Sequence, residues 1–110
     1  MLTCAVVCLV AARASAADPQ PATGAQVLEP ALAAAYQSTC AACHARAGTG
    51  APLTGNDTAW KARRTAGTEV MLARTVNGWR GMPPLGGCGR CSEAELRALV
   101  VYVSGAEAAH

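Results

Sequence analysis

Cys40-Ala41-Ala42-Cys43-His44 is the stretch that decides how this 110-residue chain is read. A C-x-x-C-H run sets two thiols three residues apart with an imidazole directly behind them. Each thiol can form a thioether with one of the two vinyl groups of a haem. The imidazole of His44 then reaches the iron from the same side and fills one axial position. Covalent attachment suits an exported protein, because the cofactor cannot dissociate into the surrounding volume.

Composition agrees with a chain that needs such a filler. The apolar fraction is 52%, but 26 of those residues are alanine, which occupies little volume. There is no Phe and no Ile, and the aromatic side chains are Tyr36, Trp60, Trp79 and Tyr102. A small domain already buries a lower share of its surface, so so thin a core calls for a cofactor, a metal, disulfides or a partner chain. A flat apolar porphyrin would supply the missing mass. The net charge of +2 comes with no basic stripe and no aromatic stacking platform, which excludes nucleic-acid binding as the default.

Two other readings of the cysteines compete. Cys88-Gly89-Arg90-Cys91 is a second C-x-x-C, so four thiolates could hold structural zinc. The 44 residues between the pairs exceed the usual zinc-ribbon separation. A thioredoxin-like redox pair is the third reading, but no βαβ pattern surrounds either motif. Haem is favoured over both.

The chain divides simply. Residues 1–17 read as a signal peptide, with an uncharged apolar run over 1–12 that is short of the roughly 20 residues a membrane span requires. Small residues around Ala14-Ser15-Ala16-Ala17 fit a cleavage site. Residues 18–25 read as a flexible linker, 26–106 as one domain and 107–110 as a tail. The expected location is periplasmic, with membrane association left open.

Within the domain, Gln26 to Thr39 suits a helix with Pro30 in its first turn. Gly48 to Gly55 is a loop. Asp57 or Thr58 is the expected cap of a short helix through Trp60 to Arg64. Thr68 is the expected cap of Glu69–Val76, which Asn77-Gly78 ends. Gly78 to Gly89 reads as an irregular loop. Ser92 and Glu95 form a capping box, and Leu96, Leu99, Val100 and Val103 repeat at helical spacing. No strand alternates convincingly. The expected fold is all-α, small and loop-rich, with about four short helices around one covalently bound haem.

Three side chains compete for the second axial position. Met71 sits among Val70 and Leu72 in a helical stretch and reads as core filler. His110 ends the chain, where it would fray. Met82 lies in Gly81-Met82-Pro83-Pro84, where two prolines stiffen the backbone, and it is the expected ligand. A His/Met pair favours ferrous iron and fills both axial positions, which suits electron transfer rather than oxygen chemistry.

This pattern resembles the class I c-type cytochromes, in particular the bacterial cytochrome c5 group. The resemblance rests on Cys40-Ala-Ala-Cys43-His44, Gly50-Ala51-Pro52-Leu53, Ala59-Trp60, and Met82-Pro83-Pro84-Leu85-Gly86-Gly87-Cys88 running into Cys91-Ser92. It implies that Pro52 offers its carbonyl to the second ring nitrogen of His44. It also implies that Tyr36 packs near Leu99 and Tyr102, and that Cys88 and Cys91 form a disulfide. The group has a glycine eight residues before the first cysteine, where this chain has Leu32. Trp60, Arg63 and Trp79 are further candidates to contact the cofactor, Arg63, Trp79 and Arg80 through its propionates.

Between Ala41 and Ser92 the chain carries Arg46, Lys61, Arg63, Arg64, Arg74, Arg80 and Arg90 against Asp57 and Glu69, which is +5 (seven minus two). That charge reads either as an ordinary solvated surface or as a rim that steers docking onto an acidic redox partner. The function expected is single-electron transport by a soluble monohaem cytochrome between membrane-bound or periplasmic oxidases, reductases or dehydrogenases. No catalytic constellation and no small-molecule substrate site is visible. The alternatives are a haem c subunit of a larger dehydrogenase or oxidase, and a haem sensor or peroxidase-like enzyme.

Overall fold

A computed structural model describes residues 27–106. The expected signal peptide, the whole linker and the tail with His110 lie outside the described residues. The order is α1 (Pro30–Ala35), a π-helical turn (Tyr36–Cys40), α2 (Ala41–His44), α3 (Asp57–Arg64), α4 (Thr68–Asn77), a 3₁₀ turn (Pro84–Gly87) and α5 (Glu93–Ser104). Among the described residues there is no strand and no helix long and apolar enough to cross a membrane.

The first helix starts at Pro30 rather than Gln26. Proline at the first helical position has no N–H to waste, and one turn earlier its ring would meet the carbonyl of residue 26. The helical path also runs on past Thr39, through the π turn and into α2, so that both cysteines and His44 lie on it. In the π turn the N–H of Ala41 reaches back to the carbonyl of Tyr36. The carbonyl of Ala35 accepts the hydroxyls of Ser38 at 3.2 Å and Thr39 at 2.7 Å.

The caps of α3 and α4 differ from expectation. Asn56, not Asp57 or Thr58, caps α3, its side chain accepting from the N–H of Ala59 at 3.2 Å. Asp57 is instead the first helical residue, where its charge favours the positive end of the dipole, and it pairs with Arg64. Gly67, not Thr68, occupies the cap position of α4, because its φ of +94° turns the chain where a side chain would be strained. Gly78 ends α4 as expected. The capping box of α5 is formed in full: Glu95 N–H donates to Ser92 Oγ at 3.1 Å, and Ser92 N–H donates to Glu95 at 3.0 Å.

The segment after Gly78 has more order than an irregular loop. Trp79 and Met82 exchange two backbone hydrogen bonds of 3.0 and 2.9 Å, closing a two-residue turn over Arg80-Gly81. Pro84 then opens the 3₁₀ turn, within which Leu85 and Gly86 have positive φ. Cys88, buried in the core, is bonded to Cys91 and ties this segment to the start of α5.

The core lies where α4 and α5 face each other. Leu72, Leu96 and Leu99 are 3%, 2% and 2% exposed, and Val100, Val103, Met71 and Trp60 complete it. Tyr36 meets Tyr102 edge-on, with ring centroids 5.1 Å apart, and its hydroxyl lies 2.9 Å from Thr54 Oγ1. Leu32 is half-buried against this core, so the chain crosses here with a side chain rather than through the gap a glycine leaves.

Candidate metal centre

The helical path from α1 ends at His44, which is 8% exposed. Its Nδ1 lies 2.7 Å from the carbonyl oxygen of Pro52. A carbonyl can only accept, so Nδ1 carries the proton and Nε2 keeps a free lone pair. The loop that supplies Pro52 is tied down on both sides. Thr54 N–H donates to the His44 carbonyl at 2.8 Å, and the indole N–H of Trp60 donates to the Leu53 carbonyl at 2.8 Å. The Trp60 ring then stands 5.8 Å from the imidazole, limiting how far His44 can turn.

Two adjoining cavities of about 130 and 390 Å³ open beside His44. Cys40, His44, Pro52, Arg63, Trp79 and Met82 border both. The smaller one is backed by Leu96, Leu99, Val100 and Val103 of α5, which makes its inner wall dry. Cys43 borders the larger cavity, and both Cys40 and Cys43 are free thiols.

Met82 enters from the two-residue turn. A Cβ added at Gly86 would come within 3.4 Å of the Met82 methyl and 3.5 Å of the Thr75 methyl. Glycine at this position, with φ +57°, therefore leaves the space that the Met82 side chain uses. Met71 borders the smaller cavity alone, from within α4, and is 6% exposed.

The donor set fits an iron porphyrin and not a zinc ion. An imidazole, a thioether and the free thiol of Cys40 border both cavities, and the free thiol of Cys43 borders the larger. Cys88 and Cys91 are bonded to each other, so four thiolates are not available. Among the described residues no three His, Cys, Asp or Glu side chains converge as a metal cage would require.

Sequence reading did not single out Thr75, Gly86, Arg74 or the α5 residues as part of this site. Thr75 donates to the Met71 carbonyl one turn back, a contact that leaves its methyl free to face the cavity. Its place beside Gly86 comes from the return of the chain after α4 and has no local signature.

Residues 28–103 match the family described as cytochrome c oxidase, cbb3-type, subunit III. Over 68 residues the chain is 41% identical to cytochrome c5 of Azotobacter vinelandii, spanning 60% of this chain and 82% of that one. It is 34% identical over 76 residues to a cytochrome c-555 of Chlorobaculum thiosulfatiphilum, spanning 66% and 88%. The fold is similar to that of a cytochrome c crystallised in an electron transfer complex with nitrite reductase. The TM-score there is 0.62 at 38% identity, covering 71% of this chain and 95% of that one.

Proposed function

This chain belongs to the class I c-type cytochromes, in the cytochrome c5-like group, and from that premise we propose that His44 and Met82 hold the iron of its haem while it passes single electrons between redox proteins. The cofactor is one covalently attached haem c, and electron transfer is the work of the family. When bound, it supplies an iron that alternates between two oxidation states.

The observation that carries the proposal is that His44 and Met82, which lie on separate elements, border the same two cavities as the free thiol of Cys40. Cys40 and Cys43 would hold the group covalently through their sulfurs. Pro52 holds His44 in the tautomer whose Nε2 can ligate. Gly86 admits the Met82 side chain, and the α5 residues keep water from the inner wall. With His44 and Met82 both holding the iron, this chain would leave no place there for oxygen or a substrate, which suits transfer of single electrons. Trp60, Arg63 and Trp79 line the smaller cavity and would contact the cofactor there. The protein acts after export to the periplasm.

Acid–acetone extraction tests the attachment: the colour should stay with the protein, and the double variant Cys40→Ala/Cys43→Ala should hold no haem. Zinc in the purified protein, with no haem, would overturn the reading.

A second reading, a haem c subunit of a larger complex, is favoured by the family description, which names an oxidase subunit. Gel filtration of the natively expressed protein separates the two. A free carrier elutes at the size of one processed chain, and a subunit elutes with its catalytic partner.

A further inference from the structure

Cys88-Gly89-Arg90-Cys91 has no part in holding haem, yet the backbone joins it directly to Met82. Between them Leu85, Gly86 and Gly87 have φ of +58°, +57° and +81°, three left-handed residues in succession. Leucine takes this conformation only under constraint, so the run lasts where both of its ends are held. At one end Trp79 and Met82 exchange their two backbone hydrogen bonds, and Pro83-Pro84 stiffen the chain. At the other end the Cys88 N–H donates to the Leu85 carbonyl at 2.9 Å, and Cys88 is bonded to Cys91. Gly86 lies in the middle of the run, where a Cβ would come within 3.4 Å of the Met82 methyl. The room that the Met82 side chain uses is therefore part of a strained path that the disulfide closes.

The two sulfurs of that bond are unlike. Cys88 is 3% exposed and belongs to the core, whereas Cys91 is half-buried beside the exposed Arg90. Cys91 also directly precedes Ser92, the N-cap of the twelve-residue α5, and the amide end of a helix favours a negative sulfur. An incoming thiolate meets Cys91 first. Cys91 is also the sulfur better able to leave again.

We propose that the Cys88–Cys91 pair is a second redox site of this chain, opened by a dithiol protein through thiol–disulfide exchange, and that its state sets how firmly Met82 holds the sixth position. This rests on the His44 and Met82 reading above. A thiolate of the dithiol attacks Cys91 Sγ, a sulfur–sulfur bond forms there, and the bond to Cys88 breaks. Cys88 leaves and takes up a proton in the core. The second thiol of the partner then displaces Cys91, which takes up the second proton. Two electrons and two protons pass to the cysteine pair, and the partner ends as a disulfide. A monothiol stops at the mixed disulfide, which the adjacent Cys88 reverses by closing the bond again. The reductant is therefore a paired thiol.

A thioether binds ferric iron less firmly than ferrous iron, so a loosened segment frees Met82 in the ferric state first. Opening the pair lowers the haem potential and admits an outside base to the ferric protein. The effect is reciprocal: ferrous protein resists opening of the pair more than ferric protein does.

The test compares three forms of the holoprotein: the oxidised wild type, the wild type opened with dithiothreitol and capped with N-ethylmaleimide, and Cys88→Ser/Cys91→Ser. Ferricyanide returns each to the ferric state. Both opened forms should show a weaker long-wavelength thioether band and bind imidazole roughly tenfold more tightly, well below their melting temperatures. Diamide added to opened, uncapped protein should restore both properties. Mass spectrometry of the folded protein, which does not depend on the iron, should find one maleimide, on Cys91. Glutathione at equal thiol concentration should leave the pair closed.

If both opened forms melt lower but bind imidazole as the closed form does, the disulfide is a staple and the proposal fails. It also fails if dithiothreitol leaves the folded protein unlabelled, if diamide restores neither property, or if glutathione opens the pair equally well. An oxidised wild type that carries haem but lacks the thioether band is a failure of the Met82 reading instead.

Discussion

The Pro52 carbonyl oxygen stands 2.7 Å from His44 Nδ1, joining a loop residue to the end of the first helical path across eight positions. The contact fixes the tautomer and limits rotation of the ring about its own bond. Its partner is a backbone atom, so it is lost through loop mobility rather than by deleting a side chain. Pro52→Gly should lower stability by about 0.4–1 kcal/mol through the freer unfolded chain. Thermal unfolding followed at the haem band checks this. A variant that melts as the wild type does would mean that the Thr54–His44 bond alone holds the loop.

Met82→Ala should remove the weak long-wavelength absorption that a thioether gives ferric iron in this class. It should also lower the reduction potential and let carbon monoxide or cyanide bind. Met71→Leu conserves volume in the α4 core and should keep the band, at a cost below about 1.5 kcal/mol. Gly86→Ala sets a methyl 3.4 Å from the Met82 methyl at a positive φ, so it should weaken the band while haem stays attached. A band that survives Met82→Ala and vanishes with Met71→Leu would reverse the assignment.

The disulfide between Cys88 and Cys91 closes a loop of four residues, so the chain-entropy gain is on the order of 2 kcal/mol. Replacing both by Ser should lower the melting temperature and loosen the segment carrying Met82. The thioethers should be untouched, so haem content stays at one per chain. Cys88 is 3% exposed, which predicts that alkylation after reduction is slow until the chain is unfolded. Fast labelling in the native state would contradict the packing seen here.

The capping box gives a dependence on pH. The Ser92 N–H and then the Ser92 hydroxyl hold the Glu95 carboxyl below the usual carboxylate range. A carboxylate with a depressed value in the folded state stabilises the fold above its unfolded value, and this is lost as pH falls through the folded one. Stability of the wild type should therefore fall on acidification from about pH 5 to 3, and Glu95→Gln should fall less steeply over that window. Melting temperatures across the range decide it. Parallel curves would mean that Glu95 does not sense folding.

Elements with local signatures were legible. The Ser92–Glu95 box works because its two bonds span three residues. The core stripe of α5 shows as a helical repeat, and Leu96, Leu99, Val100 and Val103 are all buried. Asn56, Asp57 and Thr58 are each able to cap a helix, so composition alone does not choose between them. The turn over Arg80-Gly81 was hidden because arginine at its first inner position is not a turn residue.

What the sequence by itself determined is the chemistry and the family. Cys40, Cys43 and His44 lie within five residues, so chain connectivity sets their spacing before any folding occurs. Only the tertiary structure decided what surrounds them. His44 meets Pro52 after a loop closes, Met82 reaches the cavity beside Gly86 and Thr75, and α5 closes its inner wall. These contacts join residues up to about sixty positions apart, where burial of shared apolar surface, not local preference, selects the neighbours.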